Sequence, residues 1–321
     1  MKKQNAYAIA NTANACSLEN GTLNTQCTKS AARFSEYTLA TMLVILAVFA
    51  AIISTMAFSA ETALAVPDSE FALKVGEIEL TIQHGNKTNN GIVLVGSSSF
   101  GRWASADTDI ASVNGKLKAS QISNFGIGGS KSRQWITPVY VNAIMDKRPQ
   151  VVVIYGANAI VGSPKNASKN SKLVAQSYSD TKTFMAKCRM RAKQLKVKSP
   201  KFVLVSTIKA PGYFAKSKPT KRGCVVWDRF DAYNTKLKKY AKAHSDTIYC
   251  NIEKYYYKKV GTNKLRFFAN TAGKGKTVSV STILKNNNTC SFFAADGIHP
   301  TTQAYQAIWN RIGNAAAKVM R

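Results

Sequence analysis

Five short apolar runs after residue 91 predict the strands of a buried sheet. The strongest are IVLVG, VVVIYG and FVLVSTI, and two weaker runs are ISNFGI and TIYCNI. Runs that are apolar at nearly every position, rather than at alternate ones, are typical of parallel strands covered on both faces. They begin at Ile92, Ile122, Val151, Phe202 and Thr247. The pattern therefore predicts a parallel sheet as the core of the fold.

Amphipathic stretches between and after these runs predict the helices that cover the sheet. In TKTFMAKCRMRAKQLK the apolar residues recur at helical spacing from Phe184 to Leu195, and basic residues fill the other positions. Two later stretches repeat this spacing, from Phe230 to Tyr240 and from Tyr305 onwards. Because strand and helix alternate, the sequence predicts the α/β class: a doubly wound parallel sheet flanked by helices.

Two segments depart from this alternation. EIELTIQ (Glu77–Gln83) alternates polar and apolar residues, which predicts a strand or hairpin arm within a linker at residues 61–90. Residues 254–288 are basic and aromatic with little helical period. We expect them to form an insertion between the last strand and the C-terminal helix, with a small hairpin.

A longer apolar segment, Leu39–Ala60, precedes the predicted sheet. It contains no charged residue and is long enough to cross a bilayer as a helix. Bases outnumber acids before it and acids follow it, which predicts a cytoplasmic tail at residues 1–38 and a domain at 91–321 outside the cytoplasm. Secretion after cleavage near Ala63–Ala65 is the alternative, but the long leader and long apolar run favour an uncleaved membrane anchor.

The charge of the chain suggests its partners. The sequence has 45 Lys and Arg against 16 Asp and Glu, a formal net charge of +29, and nearly all of the excess follows the apolar segment. Such a charge attracts anionic polymers and surfaces. For an exported domain we expect cell-wall polymers or lipid headgroups, with the membrane reached through the N-terminal helix. No nucleic acid is expected, because no nucleic-acid motif is recognisable.

The cysteines leave two alternatives. Cys188, Cys224, Cys250 and Cys290 follow the apolar segment, and in an oxidising compartment they can form two disulfides in any of three pairings. Unpaired buried thiols are the other reading. No CxxC pair occurs and the chain has only 3 His, so neither a metal nor another cofactor is expected.

Polar residues of the types that take part in catalysis or ligand binding follow three of the predicted strands and precede the last helix. The four blocks are GSSS, NFGIGGS, GAN and DGIHP. Ligands of parallel α/β sheets bind beyond the carboxyl ends of the strands, where these blocks fall. In DGIHP, Asp296 can accept the Nδ1 proton of His299 and leave Nε2 as a base. The glycine turn does not match phosphate-binding fingerprints, but it can aim an N–H group at an oxyanion.

The order of these four blocks resembles that of the SGNH or GDSL family of serine esterases and acylhydrolases. The resemblance implies that Ser98 is the nucleophile and that His299 and Asp296 complete its triad. It also implies an oxyanion hole made of the backbone N–H groups of Ser98 and Gly129 and the side chain of Asn158. The implied fold is the flavodoxin-like SGNH hydrolase fold, preceded here by one transmembrane helix.

Two positions depart from the family pattern. Ser97 stands where the family's GDS has aspartate, and Ala159 stands where an aspartate often follows the block-three asparagine. Neither change touches the nucleophile, but the second removes a supporting hydrogen bond for Asn158.

The resemblance implies a serine esterase that hydrolyses acyl esters, acetyl esters above all, of a carbohydrate or lipid, and the predicted membrane anchor places this activity outside the cytoplasm. Two alternatives stay open. One is an O-acyltransferase that acts on a cell-envelope glycan with the same triad. The other is a non-catalytic, basic wall-binding protein that keeps the fold. Because every triad and oxyanion position holds the required residue type, we favour an enzyme over a binding module.

Overall fold

The computed structural model describes most of the chain after the predicted membrane segment. The described residues are 66–112, 118–156, 160, 162, 165–221, 223–261, 264–269, 274–285 and 292–320. They belong to the second of two units, Leu64–Arg321. Within these ranges no helix has the length and apolarity needed to cross a membrane. The predicted tail and the segment Leu39–Ala60 lie outside the described residues.

A parallel sheet of five strands forms the centre of the fold, with the order β2-β1-β3-β4-β7. All five strands predicted from apolar runs are present in it. They are β1 (Ile92–Gly96), β2 (Ile122–Gly126), β3 (Val151–Tyr155), β4 (Lys201–Val205) and β7 (Thr247–Cys250). Every residue of β1 and β3 is buried. This burial explains why these strands have no polar alternation, because helices cover both faces of the sheet.

The helices pack as two groups around this sheet. They are α1 (Asp68–His84), α2 (Ser98–Gly101), α3 (Ala106–Ala111), α4 (Ser132–Trp135), α5 (Pro138–Asp146), α6 (Asn170–Gln194), α7 (Pro211–Lys216), α8 (Val225–Ala243), α9 (Glu253–Tyr256), α10 (Val280–Lys285) and α11 (Thr302–Met320). In one group α6 contacts α4, α5 and α8, while in the other α11 contacts α3 and strands β3, β4 and β7. The prediction of a doubly wound sheet flanked by helices is therefore confirmed.

The apolar stripes predicted for the helices face the core. Phe184, Met185 and Cys188 of α6 are fully buried or nearly so, as are Phe230 and Tyr233 of α8. Among the basic residues of α6, Lys182 and Lys193 are exposed, and Lys187, Arg189 and Arg191 are half-buried. Arg229 of α8 is buried. Burial of these stripes against the sheet is what stabilises helices whose sequences are otherwise strongly charged.

The strand expected at Glu77–Gln83 is wrong, because this segment forms the second half of α1. Phe71, Val75 and Ile82 lie on one helical face and are buried. Two acids in the first turn also favour a helix, since they interact well with its N-terminus. The predicted linker at residues 61–90 thus contains a helix that packs against α5 and β2.

The basic insertion forms a small antiparallel sheet of three strands with the order β10-β9-β8. The strands are β8 (Tyr257–Gly261), β9 (Lys264–Phe268) and β10 (Thr277–Ser279), and a separate pair consists of β5 (Pro219–Thr220) and β6 (Gly223–Cys224). The predicted hairpin corresponds to β8 and β9, to which β10 adds a third strand. Rings anchor this sheet to the main domain, since Phe267 and Tyr256 both contact Phe293.

Three of the four cysteines considered for disulfides are free. Cys188, Cys224 and Cys250 are buried thiols, whereas Cys290 lies outside the described residues. The structure therefore agrees with unpaired thiols at these three positions. Burial raises the pKa of all three, that of Cys250 to about 11, so they stay protonated at neutral pH.

Candidate active site

Ser98 lies where β1 ends and α2 begins. Ser97 is in an extended conformation, and Ser98 is the first residue of the short helix that follows. The order β2-β1-β3 makes the carboxyl end of β1 a topological switch point, where doubly wound sheets bind their ligands. Ser98 is nearly buried, with 8% of its surface exposed. The serine singled out from the sequence is thus at the ligand-binding edge of the fold.

Close backbone contact fixes α2 against β2. A Cβ atom on Gly126 would lie 2.3 Å from the backbone nitrogen of Gly101, and a Cβ on Gly101 would lie 2.7 Å from the carbonyl oxygen of Gly126. Only glycine fits at these two positions without a shift of backbone. Nearby, the Asn124 side chain donates a hydrogen bond of 2.8 Å to the carbonyl oxygen of Phe100. These contacts hold the helix that carries Ser98.

The structure brings Ser98, His299 and Asp296 together in one hydrogen-bonded chain. The Oγ atom of Ser98 lies 2.9 Å from Nε2 of His299, across 201 positions of sequence. Nδ1 of the same ring is hydrogen-bonded to Oδ2 of Asp296. Because an ionised carboxylate only accepts, Nδ1 carries the proton and Nε2 is left to accept the proton of Ser98. The side chain of His299 is 16% exposed, so its position is well enclosed.

Hydrogen bonds keep Asp296 in its charged form. Burial raises the pKa of this carboxyl, but the N–H groups of His299 and Ile298 and the ring of His299 outweigh burial and hold the pKa below its usual value. Oδ1 accepts the N–H of Ile298 at 2.8 Å and that of His299 at 3.0 Å. The carboxylate thus stabilises the turn through one oxygen and orients the imidazole through the other.

The turn that carries this pair is held by α7 and α11. The N–H group of Gly212, in α7, donates to the carbonyl oxygen of Gly297 at 2.8 Å, and Gly297 adopts a positive φ of 65° that favours glycine. On the other side, Thr301 caps α11, because its Oγ1 accepts the N–H of Ala304 at 3.3 Å.

A second contact joins α11 to the nucleophile's helix. The hydroxyl group of Tyr305 donates a 2.5 Å hydrogen bond to the carbonyl oxygen of Ser99, and its ring stacks on Trp103 with centroids 5.1 Å apart. The helix that follows His299 is therefore fastened directly to the helix that begins with Ser98. The sequence does not reveal this role of Tyr305, because the residue occurs there only as a member of an apolar stripe.

The glycine turn after β2 lies beside Ser98. A Cβ atom on Gly128 would be 3.9 Å from the Cβ of Ser98, so the exposed Gly128 leaves room next to the hydroxyl. Gly129 follows with a φ of 77°, and its N–H has no acceptor within the part of the chain that the structure describes. Asn158, the third predicted oxyanion donor, lies outside the described residues.

The other histidines do not approach this site. His84, at the end of α1, and His244, after α8, are both exposed. Over the described ranges no group of His, Cys, Asp and Glu side chains is arranged to hold a metal ion.

Replacing Gly212 by alanine is expected to disturb the site from outside it. The new Cβ would lie 2.2 Å from the carbonyl oxygen of Asp296, so the Asp296–His299 turn must move. We expect a loss of about 1–3 kcal/mol in the free energy of unfolding, typical of overpacking. A displacement near 1 Å can cost about 100-fold in catalytic rate. Urea unfolding measures the loss of stability, and kcat on an activated ester measures the loss of catalytic rate.

Gly76→Ala is the matched control for this variant. A Cβ at Gly76 meets no atom within 4 Å, and the residue lies in the middle of α1. Alanine there should leave kcat unchanged and stabilise the helix slightly. Equal kcat values for the Gly212→Ala variant and the unaltered protein would show that α7 does not position the turn.

Comparisons with known proteins find similarity only at the level of solved structures. No protein-family model matches the chain, and no curated protein sequence matches it. A GDSL-like lipase from Bacteroides thetaiotaomicron is 17% identical with a TM-score of 0.48, and the match covers 78% of this chain and 99% of that chain. A candidate acylhydrolase from Bacteroides fragilis is 17% identical with a TM-score of 0.47, covering 79% and 97%. A candidate lipase from Chitinophaga pinensis is 14% identical with a TM-score of 0.41, covering 71% and 98%.

Proposed function

We propose that the protein is a serine ester hydrolase of the SGNH or GDSL type. Its substrates are acyl esters, acetyl esters above all, of a carbohydrate or lipid outside the cytoplasm. The observation that carries this proposal is the hydrogen-bonded chain from Ser98 through His299 to Asp296 at the carboxyl edge of the sheet. A nucleophile, a base in reach of it and a carboxylate that orients the base are the three groups that acyl transfer requires.

In the first half-reaction, Ser98 Oγ attacks the carbonyl carbon of the ester while His299 Nε2 accepts the hydroxyl proton. Negative charge then develops on the carbonyl oxygen, where the N–H groups of Ser98 and Gly129 and the amide of Asn158 would stabilise it. The bond to the leaving oxygen breaks as His299 returns the proton to that oxygen. The alcohol departs and an acyl group remains on Ser98.

Water completes the reaction by the same route. His299 accepts a proton from water, whose oxygen attacks the acyl carbon, and the bond to Ser98 Oγ breaks as the proton passes to that oxygen. The carboxylic acid leaves and the serine is restored. Asp296 stays ionised throughout and stabilises the imidazolium that forms in each half.

The acid side of the pH profile should reflect a single ionisation. The pKa of Asp296 is lowered, so this carboxylate persists as the pH falls and is lost only below its usual range. A protonated His299, by contrast, cannot accept the proton of Ser98. The logarithm of kcat/KM for p-nitrophenyl acetate should therefore fall with a slope of about one as the pH is lowered. A slope near two over the same interval would mean that Asp296 titrates there as well.

Hydrolysis and active-site labelling test the proposal together. The full chain should release p-nitrophenol from p-nitrophenyl acetate with saturation kinetics and should be labelled by a fluorophosphonate. If protein with a native circular dichroism spectrum shows neither hydrolysis nor labelling, the proposal is wrong. Acetyl transfer to an added glycan in excess of hydrolysis would instead identify an O-acyltransferase.

The location outside the cytoplasm is proposed from the charge pattern around Leu39–Ala60. A protease added to intact cells should degrade the domain at residues 91–321 and leave a cytoplasmic marker protein intact. Degradation only after cell lysis would place the domain inside.

A further inference from the structure

A cleft of about 670 Å³ lies on the basic three-stranded sheet, outside the catalytic residues. Its lining is dominated by lysines, with aromatic rings between them. The lining residues are Asn251, Glu253, Lys254, Tyr255, Tyr257, Lys258, Lys259, Phe268 and Lys274. All four lysines are exposed. The volume lies in the range of clefts that hold small molecules or short polymer segments.

Ring contacts hold two of the lysines in place. The ammonium group of Lys258 lies 5.4 Å from the centre of the Phe268 ring, and that of Lys254 lies 5.4 Å from the centre of the Tyr255 ring. Such cation–π contacts restrict side chains that would otherwise be free in solvent. The one acid in the lining, Glu253, accepts a hydrogen bond from the Tyr257 hydroxyl. The cleft therefore presents a positive, partly ordered surface.

The cleft lining includes residues at the carboxyl end of β7, the same edge of the main sheet at which Ser98 lies. Asn251 and Glu253 are the first and third residues after β7, and Ser98 is the second residue after β1. The order β1-β3-β4-β7 separates these two positions by three strand spacings, or roughly 14 Å along the edge. Tyr256 beside the cleft packs on Phe293, just before the turn that carries the base. A chain of a few sugar units can span this distance.

We propose that the lysine cleft binds the anionic groups of a polysaccharide and so holds the polymer whose ester Ser98 attacks. This inference rests on the proposed esterase function and gives its substrate a chemical class: a glycan with carboxylate or phosphate groups along its chain. Lysine ammonium groups bind both as point charges, and the half-buried ring of Tyr255 lies among them in the cleft lining. Nucleic acids are disfavoured because their repeating units contain no carboxylic ester. A membrane is disfavoured because a flat surface does not enter a concave cleft.

Binding to polygalacturonate tests the cleft independently of catalysis. The full chain should bind this polymer, and binding should weaken steeply between 50 and 500 mM salt because exposed charges are screened. Changing Lys254, Lys258, Lys259 and Lys274 together to glutamine should weaken binding about tenfold. In the control variant, four exposed lysines from the segments that lead into the amino ends of β4 and β7 become glutamine: Lys193, Lys198, Lys239 and Lys242. It has the same net charge as the cleft variant and should keep most of the affinity.

Hydrolysis tests whether the cleft serves the active site. The ratio of kcat/KM for acetylated polygalacturonate to kcat/KM for p-nitrophenyl acetate should fall about tenfold in the cleft variant and stay constant in the control variant. Turnover of p-nitrophenyl acetate reports on the esterase proposal by itself. If this turnover is absent while polygalacturonate still binds at the cleft, the esterase proposal is wrong and the proposed anion site is supported.

Three results would overturn the cleft proposal. One is equal loss of polygalacturonate binding in both quadruple variants, which would mean that only overall charge matters. The second is tighter cleft-dependent binding to double-stranded DNA or to phosphatidylglycerol vesicles than to polygalacturonate. The third is an unchanged ratio of kcat/KM values in the cleft variant while p-nitrophenyl acetate is still hydrolysed.

Discussion

Ser98→Ala should reduce kcat for p-nitrophenyl acetate by about 10⁴-fold or more and abolish labelling by a fluorophosphonate. The variant lacks the oxygen that forms the acyl-enzyme, whereas His299 and the oxyanion donors remain. Losses of this size are typical when the nucleophile of a serine triad is removed. The fold should be retained, because the substitution deletes one atom at the edge of the sheet. Steady-state kinetics, labelling and urea unfolding measure the three effects.

Ser97→Ala is the matched control for this substitution. Ser97 is one residue away and more deeply buried than Ser98, but its hydroxyl has no hydrogen-bond partner among the residues that the structure describes. Deleting an unpaired buried hydroxyl is close to neutral for stability. The Ser97→Ala variant should therefore keep its activity. Loss of activity in it, with activity retained by Ser98→Ala, would show that the neighbouring serine is the nucleophile.

Asp296→Asn should lower kcat by about 10³–10⁴-fold while KM changes little. The asparagine Oδ1 can still accept the N–H groups of Ile298 and His299, so the turn is kept. The side-chain amide, however, donates a hydrogen bond to Nδ1, whereas the carboxylate accepts one from it. His299 then carries its proton on Nε2 and cannot take the proton of Ser98. Kinetics with p-nitrophenyl acetate at constant pH measure the loss.

Asp146→Asn is a suitable comparison for the asparagine substitution. Asp146 pairs with Arg191 at 3.3 Å on the surface, with 53% of its side chain exposed. Surface pairs of this kind contribute about 0–1 kcal/mol to stability, so both stability and kcat should hold. Activity within about tenfold of the unaltered protein for Asp296→Asn would show that the carboxylate does not set the tautomer.

The sheet could be predicted from the sequence because its chemistry is local. Strands covered on both faces are apolar throughout, and the runs that begin at Ile92 and Val151 match β1 and β3 closely. The helix α1 could not be predicted because its pattern is ambiguous over a short stretch of sequence. Seven alternating residues fit a strand as well as a helix, and only the longer spacing of Phe71, Val75 and Ile82 distinguishes the two.

The candidate site also contains some features that could be predicted from the sequence and others that could not. The proximity of Ser98, Asp296 and His299 could be predicted because each occurs in a short motif at the end of an element, and the sheet edge brings those ends together. Gly212 and Tyr305 could not, since their roles depend on contacts with residues distant in sequence. Tyr305, for example, reaches Ser99 across 206 positions. A hydrophobic stripe does not reveal which of its members also donates a hydrogen bond.

The wide separation of Ser98 and His299 in sequence has a consequence for biosynthesis. These two residues are 201 positions apart, so a ribosome needs about 10–40 s to add His299 after it has added Ser98. During that interval the growing polypeptide holds a serine without its base. The proposed esterase is thus inert toward cellular esters until the turn before α11 has been made and has docked beside α2. Translation order by itself delays the onset of activity.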